Sequence, residues 1–318
     1  MSQTVAAFQR CPRCGNENST DVFACNFCGY RLKIERIESI RFFRRYEAEW
    51  TTPYPWYMKI LYLFTNPPKA FHDINHKRSQ APGWLILLFI SLLYGLMGLA
   101  FFSHFNFIGI PEYSLPDFLF NFSFFVSFFV FGYVFHLIYF AILIWLFTKG
   151  ANYAVGFSDR LEKRFGTLRE QREKYKETDV SPFSIYKGGT MLQLEGAYKF
   201  KMLLCAFTPF LLINAIKILI VLAGFPTVDV TVDLSNQQGI ELAIGNIADV
   251  TSQMFNSPTW AVIDIIDAVI IASWVPILMT LAIRELSNSS TTRVLISTII
   301  IGVIVAILFY FLRPTLFG

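Results

Sequence analysis

The chain has 318 residues, 54% of them hydrophobic and 17% aromatic, with a net charge of +4. Only 16% are charged, against roughly 25% in a soluble domain. This composition excludes a soluble enzyme, a disordered tail and a disulfide scaffold, and points to an integral membrane protein. No early charged-then-apolar stretch ends in small residues, so a cleaved signal peptide is not expected.

Residues 8–33 form a small cysteine module. Cys11, Cys14, Cys25 and Cys28 stand in the pattern C-x2-C-x10-C-x2-C, and Gly15 and Gly29 each follow a second cysteine. Two such knuckles present four thiolates tetrahedrally, and glycine permits the tight turn below a metal. Zn²⁺ suits four soft ligands; iron or disulfides are the alternatives. With every position a thiolate, the site is closed and therefore structural. A module this short cannot build an adequate core, so the metal supplies its folding energy. Arg10, Arg13, Arg31 and Lys33 face Glu17 and Asp21, which is not a basic patch. A protein partner is expected rather than nucleic acid.

Residues 34–83 read as a cytoplasmic linker with interfacial helices. Aromatic rings with basic neighbours, such as Phe42, Phe43, Arg44, Arg45, Trp56 and Tyr57, suit the headgroup level of a bilayer. Packing against the rest of the protein is the other reading. Asn66 before Pro67 and Pro68 predicts a helix start, with the helix running to about Arg78. His72 and His76 are i, i+4 on it, but position 73 is Asp, so the H-E-x-x-H metal motif is absent.

Residues 84–318 read as the membrane domain. Five apolar runs follow, over about 84–102, 118–147, 202–225, 260–283 and 294–312. Each is long enough to cross a bilayer, which takes about 20 residues. The second, without Lys, Arg, Asp or Glu, is too long to stand upright and should tilt or project. None alternates as a barrel strand would. The expected fold is an all-α five-helix transmembrane bundle with a small N-terminal cytoplasmic zinc ribbon.

Charge sets the expected orientation. Residues 1–83 carry 12 Lys/Arg and residues 149–201 carry 11, while connections 103–117 and 226–259 carry none and only acids. Basic flanks stay inside. The N-terminus and the charged loop 149–201 are thus cytoplasmic, and the C-terminus is outside. The charged stretch 159–178 reads as a solvated helix, or as a partner-docking one through its weak apolar stripe.

Lys217, Asp264 and Asp267 are intramembrane charges at about one depth, at ~1.5 Å per residue. Asp264 and Asp267 share a face, as do Asn214 and Lys217. Such groups are costly and normally pair inside a bundle, so the third and fourth spans should meet there. The cluster either fixes helix register, serves an ion or proton path, or contacts a lipid headgroup. His136 and Cys205 read as packed core residues. No nucleophile elbow, phosphate loop or dinucleotide fingerprint is present, so the chain is not expected to be an enzyme.

Residues 11–30 resemble the short zinc ribbon found at the N-termini of archaeal and bacterial membrane proteins. Residues 60–313 resemble the Yip family of Ypt/Rab-GTPase-interacting multi-pass proteins. The resemblance rests on Pro68, Phe71 and Ile74, on Gly188-Gly189, on Ala206-Phe207-Thr208-Pro209 and on Leu281–Arg293. It implies five helices and a cytoplasmic N-terminus. The fused ribbon implies a prokaryotic member in the cell membrane, away from the GTPase role of eukaryotic ones. The expected function is a non-enzymatic membrane scaffold or adaptor. It would recruit a cytoplasmic protein through the ribbon and the charged loop, alone or as an oligomer, and serve membrane organisation or trafficking. A channel or permease using Lys217, Asp264 and Asp267 is the alternative.

Overall fold

The computed structural model describes residues 8–26, 28–47, 52–108, 117–161, 197–231 and 256–317. The described residues are mostly helical. Most of the charged loop, with 162–196 and Gly188-Gly189, lies outside the described residues, as does 232–255 in the acidic connection.

Two short strands, β1 (Phe8–Arg10) and β2 (Glu17–Ser19), pair antiparallel and open the cysteine module. Two ten-residue helices follow, α1 (Trp56–Thr65) and α2 (Pro67–His76). Asn66 is the N-cap of α2, and its backbone carbonyl accepts from Lys69 and Ala70. Its side chain makes no capping bond, because Pro67 and Pro68 lack the N–H groups that need satisfying.

The structure holds four helices long and apolar enough to cross a membrane, or five if one broken pair counts as a single span. They are α3 (Gly83–Phe102), α4 (Asp117–Val155), the broken pair α5 (Ala197–Phe207) and α6 (Pro209–Gly224), the pair α7 (Pro258–Ala272) and α8 (Trp274–Ser287), and α9 (Thr291–Phe317). Helix α4 outruns its apolar stretch to Val155. It stops where Gly156 takes φ 62 and donates back to the Asn152 carbonyl, a left-handed stop that glycine adopts without strain. Pro209 brings no N–H to the ladder between α5 and α6, and Thr208 Oγ1 donates to the Cys205 carbonyl at 2.6 Å. Trp84, Leu88, Leu92 and Leu96 leave one exposed apolar stripe on α3, and Ile296, Ile300 and Ile307 another on α9. Exposed stripes this long suit lipid as the surrounding solvent.

The chain divides into two compact units. The first takes residues 1–84, 142–208 and 275–301, and the second 85–141, 209–274 and 302–318. In the first unit, α2 buries Ala70, Phe71 and Ile74 completely. The packing reading of the aromatic-basic segment holds for one of its two helices. Helix α2 is packed, while α1 keeps Trp56, Tyr57 and Leu61 at 50–57% exposure. The second unit packs Met97, Phe101, Val221, Phe225 and Ile263 into one core. It also pairs β3 (Phe105–Ile108) with β4 (Val228–Thr231) in parallel, inside stretches whose composition suggests plain connections.

Candidate functional site

The cysteine module is built around its four sulfurs. Gly15 and Gly29 take φ 72 and 70. Their amides donate to the carbonyls of Cys11 and Cys25 at 2.9 and 3.0 Å, closing two matching knuckles. All four Sγ atoms lie within 4.8 Å of one another. Across the knuckles, Cys11 faces Cys28 and Cys14 faces Cys25, each at 3.6 Å. A tetrahedron with bonds of ~2.3 Å has edges of ~3.8 Å, so the sulfurs already stand where a tetrahedral metal needs them. None of the four joins a disulfide. Burial pushes the Cys28 thiol up to about 12; the Tyr30 backbone hydrogen bond opposes this and the other three thiols add to it. A bound cation reverses that balance, because thiolates are its ligands. The donor set thus fits a metal ion.

The module is docked in the first unit on the turn between α8 and α9. Asn288 ends α8 in the left-handed region, at φ 50, a conformation asparagine tolerates. Its side-chain amide accepts from the Ala24 amide at 2.9 Å and donates to the Ala24 carbonyl at 2.6 Å, as a strand neighbour would. It also donates to Asn26 at 3.0 Å. The Glu35 carboxylate accepts from the amides of Thr291 and Thr292 at 2.7 and 3.1 Å and from the Ser290 hydroxyl. An anion here meets the unsatisfied N–H groups and positive end of α9.

Two arginines complete this socket. Arg45 and Glu38 form an ion pair at 2.8 Å with side chains 5% and 0% exposed. Arg45 also donates to the Ser289 carbonyl at 2.5 Å, and Thr291 Oγ1 donates to Glu38 at 3.0 Å. Arg284, fully buried on α8, donates to the backbone carbonyls of Phe43 and Arg44 and to Thr291 Oγ1. Sequence reasoning passed over these partners. The available signal was an arginine at the end of an apolar run next to the polar turn 287–293.

A further buried pair ties α1 to α2. Lys59 and Asp73 meet at 3.3 Å with side chains 1% and 2% exposed, and Asp73 also faces the Tyr54 amide. Lys59 therefore turns inward. Lys69 instead sits over the Tyr54 and Tyr62 rings, at 4.7 and 4.3 Å, and Tyr54 raises its pKa above the ordinary lysine value. The rings of His72 and His76 lie 4.3 Å apart, and His76 Nδ1 contacts the His72 carbonyl at 2.8 Å. They join no metal-ready group among the described residues.

In the second unit, Lys217 on α6 and Asp267 on α7 form an ion pair, with side chains 5% and 14% exposed. Asn214, one turn before Lys217, is 2% exposed. Asp264 is half-buried on α7, three residues before Asp267. His136 is 5% exposed and bonds the Gly132 carbonyl through Nδ1 at 2.6 Å. Cys205 is fully buried.

The chain matches no protein-family model, no curated protein and no solved structure.

Proposed function

We propose that the chain is a non-enzymatic, multi-pass membrane scaffold of the Yip-like kind, with a five-helix membrane domain and a cytoplasmic zinc ribbon that recruits a protein partner. The observation that carries this reading is the docking of the cysteine module. Asn288, Glu35, Arg45 and Arg284 join it and the segment behind it to the turn between α8 and α9. A metal-stabilised module held in a set position presents its outer surface reproducibly, as an adaptor needs. The polar turn used for docking is part of the stretch on which the Yip resemblance rests.

The function is tested by crosslinking and pull-down with the wild-type chain and with Cys14→Ser. A scaffold acting through the ribbon loses its partner in the variant. Identical captured proteins from both would remove the ribbon from the reading.

Zinc is the metal this reading assigns, because it prefers a closed tetrahedral thiolate set and brings no redox chemistry. Purified protein is expected to hold one zinc per chain. Binding displaces thiol protons, so retention weakens as pH falls and strengthens as it rises. Elemental analysis after dialysis at graded pH reads both, and iron or no metal would overturn the assignment.

The orientation is tested separately. Protease added outside intact cells should cut within 226–259 and spare 159–178, because basic connections stay inside. Cleavage within 159–178 would invert the topology.

A further inference from the structure

The second unit contains a cavity of about 90 Å³ that the scaffold reading does not use. Its walls are largely aromatic, with Tyr94, Phe101, Phe135, Phe210 and Trp260 among them. Besides the Tyr94 and Tyr139 hydroxyls and the Trp260 N–H, its polar groups are Lys217, Asp267, Asn214 and His136. At ~10–15 Å³ for the centre of each water, it has room for about six to nine water positions. That space accommodates a molecule of a few heavy atoms.

The polar groups narrow its chemistry. Lys217 and Asp267 cancel each other's charge. A lone inorganic ion would leave net charge among apolar walls, which is strongly unfavourable. A neutral molecule carrying both signs would not. The Asn214 amide nitrogen has no hydrogen-bond partner among the described residues, although the residue is 2% exposed. It is a built donor awaiting an acceptor. His136 uses its Nδ1 on the Gly132 carbonyl. With the proton on that nitrogen, Nε2 keeps a lone pair for a donor. Lys217 Nζ already lies 6.0 Å from the Phe210 ring centre, so the walls tolerate an ammonium group.

We propose that the second unit holds a binding site for a compact zwitterion of the size of a small α-amino acid. The ligand carboxylate accepts from Lys217 and Asn214. The ligand ammonium donates to Asp267 and lies against the aromatic walls. One ion pair becomes two, the unpartnered Asn214 donor is satisfied, and the site stays neutral. The inference stands on groups separate from the ribbon, so either reading can fail without the other.

The test is equilibrium binding of radiolabelled glycine and alanine to the purified full-length protein in detergent. Saturable binding near one per chain is expected, with Kd of ~1 mM or tighter for so small a ligand. Acetate and methylammonium, each carrying half of the charge pattern, should compete at least ~10-fold more weakly, since each forms only one of the two pairs. Asn214→Leu keeps the side-chain volume on an apolar helix and so keeps the fold. It should weaken glycine binding ~10-fold or more, through loss of one charge-assisted hydrogen bond. Three results each overturn the proposal: no saturable binding of either amino acid, acetate competing as well as glycine, or unchanged affinity in Asn214→Leu. If Asn214→Cys reacts with a water-soluble thiol reagent while neither amino acid binds, the cavity holds water alone, and the proposal also fails.

Discussion

Arg284→Ala is expected to destabilise the folded protein by about 3–5 kcal/mol, the range for breaking a buried charged network from one side. The guanidinium is fully buried and donates to the Phe43 and Arg44 carbonyls and to Thr291. Alanine leaves those acceptors in a site closed to water, where an unsatisfied polar group costs ~1–3 kcal/mol. Thermal unfolding in detergent reads the loss. Limited proteolysis reads its location, with new cleavage between Lys33 and Trp56 as that segment lifts from the turn. A metal held by the four cysteines should stay bound, because all four lie within Cys11–Cys28. Arg284→Lys should fall between the two, since an ammonium cannot reproduce the guanidinium's spread of donors. An Arg284→Ala variant with wild-type melting and wild-type proteolysis would show that the network contributes nothing.

Lys217→Ala is expected to cost about 2.5–3.5 kcal/mol, the insertion-scale value for an uncompensated intramembrane charge. Its partner Asp267 is only 14% exposed and would be left without the cation. Lys217→Ala with Asp267→Asn should recover most of that loss, because no charge then remains at the pair. The double-mutant cycle gives the coupling directly. Zero coupling would mean that α6 and α7 do not meet through these side chains. Asp264→Asn serves as the internal comparison. Asp264 lies one turn along α7 from the carboxylate that pairs with Lys217, so its coupling to Lys217 should be the smaller of the two.

The cysteine module is legible in the chain because four cysteines at matched spacing, with a glycine behind each pair, form a local pattern. Its ligands all lie between Cys11 and Cys28, and local geometry suffices to gather them. The long apolar helices are legible for a similar reason, since apolar length is read directly from the residues. Their ends are not. Helix α4 runs on to Val155 because Gly156 stops it, and the third and fourth apolar runs break at Thr208-Pro209 and near Ser273.

The meeting of Lys217 with Asp267 follows from equal depth, since a charge in an apolar medium must find a partner there. That Asp267 closes the pair does not follow, because residues three apart on a helix share a face and only side-chain packing selects between them. Residue types and spacing dictate what each segment can tolerate: apolar length, a thiolate set, a charge needing a counter-charge. The docking of residues 24–45 on the turn after α8 is settled only in the folded chain. Glu35 caps a helix that begins 256 residues later, and Asn288 pairs with a backbone 264 residues earlier. No periodicity or spacing encodes such a bond. It forms because the first turn of α9 and the carbonyls at Phe43 and Arg44 must be satisfied once water is excluded.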